Sequence, residues 1–177
     1  MEHVQVPPLA LGTGLLYHFA ICHHLLLSEG DDPSSGANQL RQQLRAAGCS
    51  VVVLRPDASA DEISRCVAAS QCLLLYLGGR QSESLSSEYQ GLFGNRCCHE
   101  QLRIAQEAEK VIIGVKETNA AAGLPDFNAE KRCCVSGSRE AAQCAWALRQ
   151  VCFIERRTAV HEIPAFISEV LRQGLCG

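Results

Sequence analysis

The chain has 177 residues, 47% of them hydrophobic and 20% charged, with a formal net charge of −3 at pH 7. That length suits one domain with a full hydrophobic core, and the composition is that of a soluble globular protein. The charge balance gives no strong attraction to nucleic acid or to an anionic membrane.

Residues 1–13 read as a flexible N-terminal arm kept extended by Pro7-Pro8, and residues 14–177 as a single domain. Leu15 to Cys22 is a near-continuous apolar run rich in strand formers, as expected of a strand buried on both faces. It ends at His23-His24, and a polar loop with Gly30, Asp31, Asp32 and Pro33 follows. Ala37, Leu40, Leu44 and Ala47 recur at helical spacing, and Gly48 closes that helix. Ser50 to Leu54 is a short second strand, and Arg55 to Ala58 a loop. Ser59 and Glu62 have capping-box spacing, and Ile63 and Val67 give the next helix its apolar stripe.

Cys72 to Leu77 is the third strand, ending at Gly78-Gly79. The Ser-rich stretch up to Asn95 is expected to be a loop with one irregular helix. A helix from about Cys97 to Glu109 should bury Cys98, Leu102 and Ala105, and Val111 to Val115 is the fourth strand. Lys116 to Ser138 reads as a long variable region, Glu140 to Leu148 as a short helix, and Val151 to Ile154 as the fifth strand. Ile163, Phe166, Ile167, Val170 and Leu171 then define an amphipathic closing helix.

Buried strands alternating with helices predict an α/β flavodoxin-like three-layer fold, a five-stranded parallel sheet with helices on both faces. Ligands of such sheets bind beyond the carboxyl ends of the strands, where the strand order switches. The segments expected at that rim are His23-His24 with the loop after them, Arg55-Pro56-Asp57, Gly78-Gly79 and Lys116-Glu117.

Eleven cysteines would usually indicate a secreted disulfide framework. The count is odd, however, and Cys22, Cys72 and Cys152 sit within apolar runs, where a free cysteine acts as a small hydrophobe. Met1-Glu2-His3 lacks the basic start of a signal peptide. The expectation is mostly free thiols in a reducing, cytoplasmic compartment. Leu9 to Leu27, the longest apolar region, is broken by Gly12, Gly14 and three histidines, so no transmembrane helix is expected.

Asn95 to Leu102 concentrates the reactive side chains. Cys97-Cys98 and Cys133-Cys134 lack the two-residue gap of a zinc knuckle. Adjacent positions on a helix also point about 100° apart, which counts against a shared metal and against a Cys98–His99 protease pair. No resident metal or cofactor is expected. Glu100 has two readings from its residue type and place: a catalytic carboxylate, or an acid in a helix's first turn favoured by the helix dipole. Leu77-Gly78-Gly79 ends the third strand without the aspartate of a phospho-receiver. Gly12-Thr13-Gly14 precedes a strand, unlike a phosphate-binding fingerprint.

Taken in order, three stretches resemble the Toll/interleukin-1 receptor (TIR) domain family. Tyr17 to His24 resembles its first strand, a Phe-Ile-Ser core followed by polar or basic residues. Gly48 to Ser70 resembles its second strand, BB loop and following helix. Arg96 to Glu100 resembles the Trp-x-x-x-Glu signature that opens its αC helix. The likeness runs from about Leu15 to Gln173. It extends to the divergent TIR-like proteins of protists and algae, in which a Cys-His-Glu helix opening and a Pro-Asp-Phe, here Pro125-Asp126-Phe127, also occur.

The resemblance implies an NAD+ nucleosidase, cleaving the nicotinamide–ribose bond with Glu100 and activated by self-association in signalling or defence. It implies that Cys22, His23 and His24 at the end of the first strand, and Arg55 in the BB loop, line the NAD+ pocket; from residue type and place alone, the His23-His24 pair also reads as a solvent-facing strand ending. The alternative it implies is a catalytically silent adaptor acting through contact with other TIR domains. Two departures favour that alternative: Arg96 stands at the usual Trp position, and the BB loop lacks the usual Pro-Gly pair.

Overall fold

The structure, a computed structural model, describes residues 10–23, 35–55, 57–78, 91–134 and 139–175. Residues 1–9 of the expected arm, His24 with the loop to residue 34, Pro56, Gly79 and the Ser-rich stretch of residues 79–90 lie outside them.

The described strands are β1 (Tyr17–Cys22), β2 (Val51–Leu54), β3 (Ser70–Leu77), β4 (Val111–Lys116) and β5 (Phe153–Glu155). The helices are α1 (Gly36–Ala46), α2 (Ala60–Ala68), α3 (Arg96–Glu107), α4 (Phe127–Cys133), α5 (Arg139–Gln150) and α6 (Ile163–Leu175). All strand pairs are parallel, in the order β2-β1-β3-β4-β5. This is a doubly wound order whose switch lies between β1 and β3.

Strand alternation divides the core into two layers. Phe19 and Ile21 of β1 and Cys72, Leu74 and Tyr76 of β3 meet Leu40 and Leu44 of α1 and Phe166 and Val170 of α6. On the opposite face, Ala20, Cys22, Leu73, Leu75 and Leu77 meet Ile63 and Val67 of α2, Cys98 and Leu102 of α3, and Cys144 and Ala147 of α5. β1 and β3 are inner strands covered on both sides, which is why their sequences run apolar without alternation.

The helix starts follow local chemistry. Ser59 caps α2 by accepting from the Glu62 amide, and Asn95 caps α3 by accepting from the Cys97 amide. Asn95 therefore starts α3 at Arg96, and the first turn holds no acid. Glu100 falls in the second turn, where the dipole reading of this residue loses its footing.

Two expectations shift. The Lys116–Ser138 region, expected to be variable, contains a helix that was not expected there, because Asp126 accepts from the Asn128 and Ala129 amides and starts α4. The fifth strand is displaced, because α5 runs on to Gln150 and Val151, just beyond it, still donates its amide to the Ala147 carbonyl and packs in the helix-side core. Phe153 is the first strand residue, paired with Gly114 of β4. Its ring occupies the space where a Cβ on Gly114 would stand, 2.2 Å from Cδ1, and meets Phe127 edge-on at 6.3 Å. Among the described residues no helix is long and apolar enough to cross a membrane.

Candidate functional site

The opening turn of α3 lies against the carboxyl-end rim beside the strand-order switch. The Cys98 thiol donates to the carbonyl of His23, immediately after β1, at 3.7 Å. The Cys97 thiol donates to the carbonyl of Ala58, in the loop after β2, at 3.8 Å. Both sulfurs act as donors because they stay protonated. Burial pushes the Cys98 thiol up, and a hydrogen bond with Cys22 adds to it. Cys97 is raised chiefly by partial burial, with the charge of Asp57 contributing. Thiols held in this way are poor nucleophiles. The cysteines here join three chain segments by packing and weak bonds.

Glu100 lies on the outward side of the same helix, its side chain 33% exposed. Both carboxylate oxygens are bound by one guanidinium. Arg103 Nε donates to Oε2 at 3.0 Å and Nη2 to Oε1 at 2.5 Å. The Arg103 guanidinium holds the Glu100 carboxyl below the usual glutamate range against the effect of partial burial, and Arg96 contributes from farther off. Arg103 also donates through Nη1 to Glu107 at 2.5 Å. The result is a ladder of alternating charge at i, i+3 and i+4 spacing.

The other residues expected in the pocket are placed as follows. His23 is 2% exposed, its carbonyl engaged by Cys98. Cys22 is fully buried against Cys98 in the α2/α3/α5 layer. Arg55 reaches solvent and forms a two-armed pair with Asp57, both bonds at 3.1 Å. This pair holds the Asp57 carboxyl below its usual range. His24 lies outside the described residues. The fold therefore brings the backbones of the three segments to one rim, while the charged groups of Glu100 and Arg55 are each paired within their own segment. His99, which directly follows Cys98, donates through Nε2 to the carbonyl of Phe93 at 2.6 Å and fixes α3 to the short turn Leu92–Gly94.

A second polar assembly stands along the same rim, and its Arg156 was not foreseen from the sequence. Glu117 directly follows β4 and Arg156 directly follows β5, and their side chains are 0% and 1% exposed. Arg156 Nη1 bonds Glu117 Oε2 in a short contact, and the Tyr76 hydroxyl donates to the same oxygen at 2.5 Å. Glu117 Oε1 accepts from the amides of Thr118 and Asn119 at 3.0 and 2.8 Å. Arg156 Nη2 donates to Gln39 of α1 at 2.7 Å. Gly36, the first residue of α1, leaves no room for a side chain: a Cβ there would stand 1.8 Å from the Tyr76 oxygen and 2.6 Å from Glu117 Oε2. The positive end of the α1 dipole thus rests on the buried carboxylate. Burial and the neighbouring Glu117 charge push the Tyr76 phenol far above its usual range. With its oxygens shared among Arg156, Tyr76 and two amides, Glu117 is a fastening of β3, β4, β5 and α1.

The signal for this assembly was the register of β4 on β5. Lys116 pairs with Glu155, so the next position on each strand juxtaposes Glu117 and Arg156. Among the described residues no group of three or more His, Cys, Asp or Glu side chains is arranged to hold a metal ion, and the described cysteines are all free. No family model matches this chain, and neither does any of the curated proteins compared with it.

Proposed function

We propose that this chain is a TIR-like NAD+ nucleosidase of the cytoplasm, in which Glu100 promotes cleavage of the nicotinamide–ribose bond once copies of the chain associate. The observation that carries the reading is the docking of the α3 opening on both the end of β1 and the loop after β2. Glu100 then sits one turn into the helix that borders the crevice of a doubly wound sheet.

The chemistry asks for little more. Breaking a glycosidic bond builds positive charge on the ribose, and a carboxylate near the anomeric carbon or its hydroxyls stabilises that charge. Nicotinamide leaves as a neutral molecule and needs no general acid. The test is nicotinamide release from NAD+ across a range of protein concentrations. The reading expects turnover that rises more steeply than protein concentration and disappears in Glu100→Ala. Absence of turnover in the wild type at every concentration, or undiminished turnover in the variant, rejects it.

A second reading, a catalytically silent adaptor working through contacts with other TIR domains, is favoured by one observation. Both oxygens of Glu100 are already engaged by Arg103. It expects concentration-dependent oligomers in sedimentation that Glu100→Ala leaves intact, with no nicotinamide released. A protein that stays monomeric at all concentrations counts against it.

A further inference from the structure

We propose that Arg103 is a gate on Glu100, closed in this structure, and that Glu107 is the partner that takes the guanidinium when the gate opens. The inference rests on the reading of Glu100 as the reacting carboxylate and adds how that carboxylate is kept out of use.

The geometry is specific to a shared cation. Arg103 presents Nε and Nη2 to Glu100 and Nη1 to Glu107, so its planar fork is divided between an acid one turn before it and another one turn after it. Glu107 has capacity to spare: its Oε2 takes Nη1, and its Oε1 stands 4.0 Å from Arg139 at the start of α5. Turning the guanidinium toward Glu107 breaks the Glu100 arm while keeping Arg103 in an ion pair. Arg103 and Glu100 are each about one-third exposed, so water reaches the pair and screens it, and separating them strands no buried charge.

A positive guanidinium on both oxygens opposes the task proposed for Glu100. It neutralises the charge that would face a cationic sugar, and it fills the positions that ribose hydroxyls would bond. The incoming diol supplies O–H donors to the oxygens that the Nε–H and Nη2–H groups vacate, so the substrate itself drives the exchange. No atom is transferred in this step; only hydrogen-bond partners change.

The experiment compares wild type with Arg103→Gln, Arg103→Lys and Glu107→Gln, all surface changes on one helix. Two quantities are measured: kcat/KM for nicotinamide release, and the pKa of the Glu100 carboxyl by NMR. Arg103→Gln is expected to raise kcat/KM roughly two- to fivefold, the worth of an exposed pair, and to return the Glu100 pKa toward the ordinary 4.5. Arg103→Lys, which keeps the charge without the fork, is expected to fall between wild type and Arg103→Gln. Glu107→Gln, which removes the receiving group, should lower kcat/KM. Unchanged or lower kcat/KM in Arg103→Gln, with wild type active, overturns the gate. If no form releases nicotinamide, the nucleosidase reading fails, and an unchanged Glu100 pKa in Arg103→Gln then overturns the clamp as well.

Discussion

Replacing Arg156 by methionine keeps the length of the side chain and removes its charge, leaving Glu117 without its cation in a site where its side chain is 0% exposed. Three of the carboxylate's donors survive: the Tyr76 hydroxyl and the amides of Thr118 and Asn119. None carries a positive charge, and Gln39 loses its partner on Nη2. Removing one member of a buried pair costs roughly 3–5 kcal/mol, because the remaining charge stays desolvated. Against a total stability of about 5–15 kcal/mol, that is a large share. Tyr76→Phe removes one bond to a charged acceptor and should cost about 1.5–3 kcal/mol. The double variant Arg156→Met/Glu117→Leu removes both charges, so it should be distinctly more stable than Arg156→Met alone. Urea unfolding followed by circular dichroism measures all three. If Arg156→Met costs less than about 1 kcal/mol, or if the double variant is no more stable than Arg156→Met, the pair is not the fastening described.

Three further outcomes are expected. Ser59→Ala should destabilise the chain by about 0.5–2 kcal/mol in the same unfolding assay, since Ser59 caps α2 through the Glu62 amide. Gly114→Ala places a Cβ 2.2 Å from the Phe153 ring and should cost about 1–3 kcal/mol by overpacking; Phe153→Leu introduced alongside it should recover part of the loss. Alkaline pH should also weaken the fold. Burial raises the thiols of Cys49 and Cys134 from the ordinary 9.0 to about 11, so above pH 9 the unfolded chain holds fewer protons than the folded one. Their contribution is complete below pH 9 and is lost as pH rises through 11. Urea midpoints measured at pH 8, 9.5 and 11 should fall in that order, and a flat series would refute the assignment.

The strand core was legible because its physics is local to the sequence. β1 and β3 read as apolar runs since both faces of an inner parallel strand are covered, and α6 read as a helix because Phe166, Ile167, Val170 and Leu171 meet a single layer. Ser59 was visible as a cap for the same reason: donor and acceptor are three residues apart. The misreadings occurred where one residue type served two patterns. Asp126 in a Pro-Asp-Phe triplet signals a loop as readily as the cap of α4, which it is. Val151 to Ile154 is one apolar run, but its first two residues form the turn after α5 and only Phe153 and Ile154 enter β5. The Glu117–Arg156 pair was out of reach because it depends on strand register, and neither residue has a neighbour in sequence that discloses its partner.

The candidate site shows the opposite pattern, since its partners were present in the sequence at short range. Arg55 and Asp57 stand two residues apart, Glu100 and Arg103 three, and Arg103 and Glu107 four. Spacing of this kind on a helix defines a charge ladder, and weighing Glu100 alone conceals it. The difference between the two assemblies decides which of them suits the proposed reaction. Glu117 and Arg156 are enclosed, and separating them strands a buried charge, so this pair keeps one arrangement and holds the rim. Glu100, Arg103 and Glu107 face water, where exchanging one partner for another costs little. In the proposed reaction, the step in which a carboxylate gives up one set of donors and accepts another therefore belongs on α3.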